Sequence, residues 1–406
     1  MKALSQLLFG AKRTAPIEST SNRIYLGLTY FFYFGLLGIF LPYVGLFLDD
    51  RGFTSSQIGT LLAVTALFRI LGPNLWATQA DSTGKVGEVL RVGCLLAFLV
   101  FAAVFVVYDY WLLTLTFCLM MMFWTAVLPQ LEVITLQATH KSKGGYGKLR
   151  LWGSIGFIAC SLLAGGLIDV YGPSVVAVVS SVCLLLLYFS SLLIVSPERK
   201  KQDTHHVSGD WKQVFSLVFI VFMVANTLLQ VSFGTYYNFF ALYMNDLAYT
   251  GFQTGVFIAI GVVAEVFIFI FAARLVKHFE VLNLLALSIL LTGIRWFGLA
   301  YFADEVVVII LCQMLHALSF GLSHVASVYF LTHHFSARFQ SRAQAIYVSI
   351  SFGLGSAIGS YAAGYLWQDG QGASISFIFS GVIALAGGLV LTLLTVHQTY
   401  FKKRAI

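Results

Sequence analysis

Charge is what this chain has least of. Only 10% of its 406 residues are Asp, Glu, Lys or Arg, while 59% are hydrophobic and the mean hydropathy is +0.87. Soluble domains carry roughly 25% charged residues, so the composition excludes an ordinary soluble enzyme and reads as an all-α integral membrane protein. Cysteine is thin as well. Cys94, Cys118, Cys160, Cys183 and Cys312 are isolated, odd in number and set in apolar stretches. That excludes a disulfide or metal framework and makes them small packing residues. No GxxxxGK[ST] pattern occurs, so nothing points to ATP drive. No soluble domain, nucleophile–base set or metal spacing is visible, so we expect neither enzyme activity nor a cofactor. A net charge of +7 would suggest nucleic acid in a soluble protein; in a membrane protein its distribution matters more, and no nucleic-acid partner is expected.

What is there is apolar length. A helix needs about 20 apolar residues to cross a bilayer. On that criterion the sequence predicts twelve spans, at 24–48, 55–79, 86–107, 111–138, 146–168, 174–195, 213–244, 252–276, 281–302, 306–332, 341–367 and 374–396. The first run follows a polar tail and is itself of spanning length, which reads as a span rather than a cleaved leader. With both termini cytoplasmic, Arg51 is alone among basic residues in the outer loops and Arg69 and Arg295 lie mid-span. The other 21 of the 24 basic residues then fall on the cytoplasmic side or at its span edges. That bias predicts a multi-pass protein of the inner (cytoplasmic) membrane with both termini inside. A monomer is expected.

The one long polar connector is 196–212, SPERKKQDTHHVSGDWK. It predicts an N-terminal half at 1–195 and a C-terminal half at 213–406, with six helices in each. The halves are related: an offset of 196 maps Gly38 to Gly234, Asp50 to Asp246, Thr54 to Thr250, Gln57 to Gln253 and Gly59 to Gly255. A parallel repeat of this kind favours a central site near the bilayer midplane, with one half rocking against the other. The same offset sets Arg69 opposite Glu265.

Ionisable residues inside spans are the candidates for function, because inserting one costs roughly 3 kcal/mol or more. Glu265 sits in GVFIAIGVVAEVFIFIFAARLV and can take up a proton to become neutral. Arg69 and Arg295 cannot shed theirs, so each needs a carboxylate, carbonyls or an anionic substrate. Glu265 charged beside Arg295 and neutral elsewhere would carry a proton; the alternative is a fixed Glu265–Arg295 ion pair holding helices together. His316 and His324 titrate near neutral pH and either relay a proton or bond substrate; the competing reading is a neutral ring bonding a carbonyl or Ser. Glu132 and Arg150 flank the loop HKSKGG and are placed to pair across it, with Lys148 as an interfacial anchor. Tyr30, Tyr33, Asn226, Gln230, Tyr236, Tyr237 and Asn238 are cavity-lining candidates, with interfacial anchoring as the alternative for the tyrosines. His205–His206 and His333–His334 read as solvated loop residues, with no metal held.

The segments YGKLRLWGSIGF (146–157), VVAEVFIF (262–269), IRWFGLA (294–300), QMLHALSF (313–320), RAQAIYVSISFGLGSAIG (342–359) and LFRILG (67–72) resemble the major facilitator superfamily. More narrowly they resemble its phenylpropionate permease group, related to the lactose:proton symporter family. The resemblance implies the twelve-helix major facilitator fold. It also implies substrate contacts at Glu132 and Arg150, and proton coupling through Glu265, Arg295 and His316. There are two departures. Ser319 stands where the lactose family has a carboxylate, which shifts proton duty to Glu265. Phe157 stands where that family has a sugar-stacking Trp, which argues against a sugar.

The expectation is therefore a secondary transporter, with a proton-coupled importer of a small organic anion such as 3-phenylpropionate as the leading reading. Glu265, Arg295 and His316 would couple the proton. Arg69, Glu132, Arg150, Phe157, Tyr237 and His324 would bind substrate. The alternative on the same scaffold is a sugar or nucleoside symporter, or a drug or metabolite efflux antiporter. The expected partners are the small-molecule substrate, protons and the lipid bilayer.

Overall fold

The computed structural model describes residues 16–140, 145–196 and 211–404. Most of the expected connector at 196–212, with His205–His206, lies outside the described residues, as does 141–144 of the HKSKGG loop. Twelve helices among the described residues are long and apolar enough to cross a membrane. They are α1 (Thr20–Asp50), α2 (Ser55–Thr83), α3 (Val86–Phe101, with a 3-10 turn at Ala102–Phe105), α4 (Tyr110–Thr139), α5 (Gly145–Tyr171) and α6 (Val175–Leu193). They continue with α7 (Leu217–Asp246), α8 (Gly251–His278), α9 (Val281–Phe302), α10 (Val306–His334), α11 (Gln340–Gly370) and α12 (Ala373–Arg404). Each expected span meets one of these helices. His333 and His334 fall in the last turn of α10 rather than in a loop, because the apolar run is followed by helix-compatible residues until Phe335 turns extended.

Among the described residues, four spans are interrupted within their length. The α4 helix breaks at Ala126 and α7 at Phe233. The α10 helix passes through a π-helical segment at Ala317–Leu322, and α11 through another at Val348–Gly355. Hydrophobic run length registers only that a segment stays in the bilayer, so it is blind to a shift from i→i+4 to i→i+5 hydrogen bonding. Such segments cluster at functional sites.

Helix ends are closed by side chains. Asp109 accepts from the amides of Trp111 and Leu112 at the start of α4, and Ser216 accepts from the Phe219 amide at the start of α7. Arg51 donates from Nη1 to the Val107 carbonyl (3.0 Å) and from Nη2 to the Val104 carbonyl (2.7 Å). Its guanidinium also lies over the rings of Phe47 and Tyr108. A cation on the orphan carbonyls that end a helix is favourable, so the lone basic residue of its loop serves as the cap of α3. Burial at this cap lowers the Arg51 pKa from its ordinary value. Arg91 does the same for α6, donating to the carbonyls of Ser191 and Ile194.

By contacts the chain divides into two units, Met1–Arg51 with Val64–Thr204, and Gly52–Ala63 with His205–Ile406. In the first, α1 packs on α5 and α6, and α3 packs on α4 and α6. In the second, α9 and α7 pack on α12, α7 also meets the π segment of α11, and α8 lies against the π segment of α10. The first turns of α2 belong to this second unit. There Ser55 donates from its amide (2.9 Å) and its hydroxyl (2.6 Å) to Asp369 Oδ1, and the Asp369 amide donates back to Ser55 Oγ (2.9 Å). One turn on, the backbones of Gly59 and Gly364 abut. A methyl on either would lie 2.5 to 2.7 Å from the other's Cα, well inside contact distance.

The sequence repeat has a local structural counterpart. Thr54 and Gln57 exchange amide–side-chain hydrogen bonds at the start of α2, and Thr250 and Gln253 form the same capping box at the start of α8. Two polar pairs, 196 residues apart, satisfy the orphan amides of two helices in one way.

Candidate functional site

The most developed polar cluster lies in the second unit, on α7, α8, α9 and α10. Arg295 projects from α9 and is fully buried. A guanidinium can only donate, so Nη1, 3.0 Å from His316 Nδ1, donates to that nitrogen. A neutral His316 therefore carries its ring proton on Nε2. That nitrogen faces Glu265, with Oε2 at 3.8 Å, a charge-range approach that is long for a hydrogen bond. Arg295 Nη2 donates to Gln313 Oε1 at 3.3 Å, and the same oxygen accepts from the Tyr236 hydroxyl at 2.8 Å.

The expected Glu265–Arg295 pair is thus relayed through an imidazole. One turn of α10 carries both neutral acceptors, Gln313 and His316, and places the ring between guanidinium and carboxyl. Aromatic faces take the rest of the cation's surroundings: its centre lies 4.3 Å from the Trp296 ring centroid, 4.4 Å from Tyr236 and 5.8 Å from Phe233. Such contacts offset part of the cost of burying a charge. The break of α7 positions two of these rings, and Trp296 is fixed by donating from Nε1 to Ser232 Oγ just before it (3.1 Å).

The π segment accounts for how α8 meets α10. Residues five apart in an α-helix point about 140° away from each other at 3.6 residues per turn. Hydrogen bonding at i→i+5 brings them toward one face. His316 and Gly321 accordingly both lie against α8. A methyl on Gly321 would sit 3.2 Å from Glu265 Cγ, and a methyl on Gly261, one turn before Glu265, would sit 3.4 Å from His316 Cβ.

His324 continues the ring ladder of α10. His316, Phe320 and His324 stack with centroid separations of 5.6 and 6.2 Å, and Phe352 of α11 packs edge-on against Phe320 and His324. Tyr237 stacks on Phe233 at 5.1 Å.

A second cluster lies in the first unit. Glu132 on α4 accepts from the Tyr146 hydroxyl at 3.3 Å. Arg150 on α5 lies over the Phe34 ring at 3.9 Å and at 5.9 Å from the Tyr30 centroid. Glu132 and Arg150 stay within electrostatic reach of each other, while the acid takes a hydroxyl as its hydrogen-bond partner and the base an aromatic face. The reason is local: Tyr146 stands one turn before Arg150 and reaches Glu132 first. Tyr33 lies within electrostatic reach of Arg69, Arg150 and Glu132 and stacks on Trp124 at 4.6 Å. Arg69 itself is exposed. The backbone of Phe157 approaches Gly38 of α1, where a Cβ would collide with the Phe157 carbonyl; its side chain is half-buried. Lys148 is exposed, as an anchor would be.

Gln313, Tyr146 and Phe34 were not among the candidates, although spacing pointed to two of them. Gln313 precedes His316 by three residues in an apolar run, and Tyr146 precedes Arg150 by four, each on its partner's helical face. Phe34 is one of many phenylalanines and gives no such signal. Among the described residues no group of three or more His, Cys, Asp and Glu side chains is placed to hold a metal.

Comparison with known proteins agrees with this architecture. The chain is 30% identical over 356 residues to the probable 3-phenylpropionic acid transporter of Escherichia coli (strain K12), covering 85% of this chain and 91% of the relative. It is 28% identical over 384 residues to the maltose permease of Geobacillus stearothermophilus, covering 91% and 94%. The crystal structure of the nucleoside transporter NupG superposes with a TM-score of 0.80 over 93% of this chain and 99% of that one, at 15% identity, a likeness of fold. The family model described as the MFS_1 like family matches residues 23–379. With twelve helices of spanning length and buried charge clusters on them, the chain belongs to this family of the major facilitator superfamily and is a multi-pass membrane transporter, not an enzyme.

Proposed function

We propose that the protein is a proton-coupled symporter that imports a small organic anion, such as 3-phenylpropionate, by alternating access. The observation that carries this reading is the Arg295–His316–Glu265 relay. A buried cation is held by neutral acceptors, and a carboxyl that can take up a proton stands on the far side of a titratable ring. Protonation of Glu265 leaves the positive charge of Arg295 available to an anionic substrate, and release of both resets the site. Arg150 on its aromatic face, with Glu132, Tyr146 and Arg69, supplies substrate contacts in the first unit, and Phe157, Tyr237 and His324 are further substrate contacts. The similarity to a probable 3-phenylpropionic acid transporter and the ring-rich surroundings of both guanidinium groups support an aromatic carboxylate. The distribution of Lys and Arg supports the inner membrane with both termini cytoplasmic. The protein acts as a monomer, with 1–195 and 213–406 as its halves.

The similarity to a maltose permease favours a sugar symporter as the second reading. Uptake of labelled 3-phenylpropionate into proteoliposomes, with and without an inward proton gradient, tests both. Gradient-dependent uptake that is lost in Glu265→Gln is the expected result. Uptake that maltose blocks and 3-phenylpropionate does not would replace the anion by a sugar. Gradient-driven uptake retained in Glu265→Gln would remove Glu265 from coupling.

A further inference from the structure

We propose that Gln313 is a positioning residue of the coupling relay: its amide oxygen orients the Arg295 guanidinium and thereby fixes which nitrogen of His316 faces Glu265. This rests on the proposed proton coupling for its purpose, but its geometry stands independently.

Gln313 is fully buried on α10. Its Oε1 accepts two hydrogen bonds from two other helices, from the Tyr236 hydroxyl of α7 and from Arg295 Nη2 of α9. With Nη2 tethered there, Nη1 of the same planar group is held against His316 Nδ1, and the ring proton is confined to Nε2. A mobile guanidinium would leave both tautomers open. The other end of the amide makes a plain packing role unattractive. Among the described residues Gln313 Nε2 is buried with no hydrogen-bond partner, a burden of about 1–3 kcal/mol that a Leu or Met of similar size would not carry. The position therefore needs an oxygen acceptor.

It also needs an uncharged one. A carboxylate at 313 would satisfy the same donors while neutralising Arg295 for good, leaving neither Glu265 nor a substrate anion a cation to answer. Among the described residues, the titratable and charged groups facing the relay include Glu265 from α8, Arg295 from α9, Tyr236 and Tyr237 from α7, and Cys312 from α10 itself. A neutral amide at 313 is an acceptor that leaves this charge balance open to change.

The test uses full-length protein carrying isotopically labelled histidine in nanodiscs, with the His316 resonance among the nine histidines identified by its loss in His316→Gln. The wild type is expected to show a single Nε2–H tautomer. Gln313→Leu is expected to show both tautomers, with gradient-driven uptake at least tenfold lower than wild type. Should Gln313→Leu fail to fold, isosteric Gln313→Glu decides: neutralising Arg295 is expected to raise the His316 titration midpoint by one pH unit or more. An unchanged tautomer in folded Gln313→Leu, or an unchanged midpoint in Gln313→Glu, overturns the assignment. The spectra need no substrate, so absence of proton-dependent uptake in the wild type would defeat the transport reading without touching this one.

Discussion

Arg295 Nη1 lies 3.0 Å from Nδ1 of His316, so a cation that can only donate dictates the tautomer of the ring beside it. Arg295→Lys separates charge from geometry. Lysine keeps the charge but lacks the planar fork that reaches His316 and Gln313 together and lies against Tyr236 and Trp296. We expect transport to fall at least about tenfold, the equivalent of one lost charge-assisted hydrogen bond of roughly 1.5–3 kcal/mol. Uptake assays on variant and wild type at matched reconstitution check this; equal rates would mean that charge alone is needed.

His316→Gln keeps an acceptor for Arg295 on α10 but removes the titratable ring. The folded protein should survive, with the dependence of uptake on the proton gradient lost and substrate exchange retained. Measuring both at several pH values separates coupling from binding.

In the first unit, Tyr146→Phe removes the hydroxyl that donates to Glu132. A single neutral-donor bond to a carboxylate contributes about 1–2 kcal/mol. KM is therefore expected to rise between about fivefold and thirtyfold with little change in maximal rate, if Glu132 contacts substrate. A KM unchanged within error in Tyr146→Phe would show that this bond is structural.

Asp369 and Gln368 sit at φ of 49° and 48°, left-handed backbone held by non-glycine residues. Asparagine tolerates this region and offers the same acceptor oxygen. Asp369→Asn should therefore melt within a degree or two of wild type, whereas Asp369→Ala loses two accepted bonds from Ser55 and should be destabilised by about 1–3 kcal/mol. Thermal unfolding in detergent, followed by tryptophan fluorescence, distinguishes them. Gly59→Leu should destabilise more severely, because its side chain meets the backbone of Gly364.

Much of this is legible in the sequence itself. Run length placed all twelve helices, because the bilayer sets one length for every span. The rarity of charge marked Glu265, Arg295 and His316, and the structure brings all three together. The intermediary was hidden. That His316 stands between Arg295 and Glu265 depends on a π segment five residues long in reach, and hydropathy does not change across it. Glu132 and Arg150 lie within electrostatic reach, yet the hydrogen bond to Glu132 comes from Tyr146, since a single sequence gives separations along a helix but not rotamers across a helix pair. Arg51 looked like an exception to the charge bias and proved to be a helix cap, because carbonyls at a helix end attract a cation wherever the chain turns.

The ring cage and neutral acceptors around Arg295 have an electrical consequence. Because the described hydrogen-bond partners of the guanidinium side chain are the neutral His316 and Gln313, its charge persists whether or not Glu265 holds a proton. With the proton on Glu265 the relay would be a net cation, and without it the pair would sum to zero. Carrying one elementary charge across a membrane potential involves about 2.3 kcal/mol per 100 mV. Voltage, and not only the pH difference, would then act on whichever step moves the relay in its charged form.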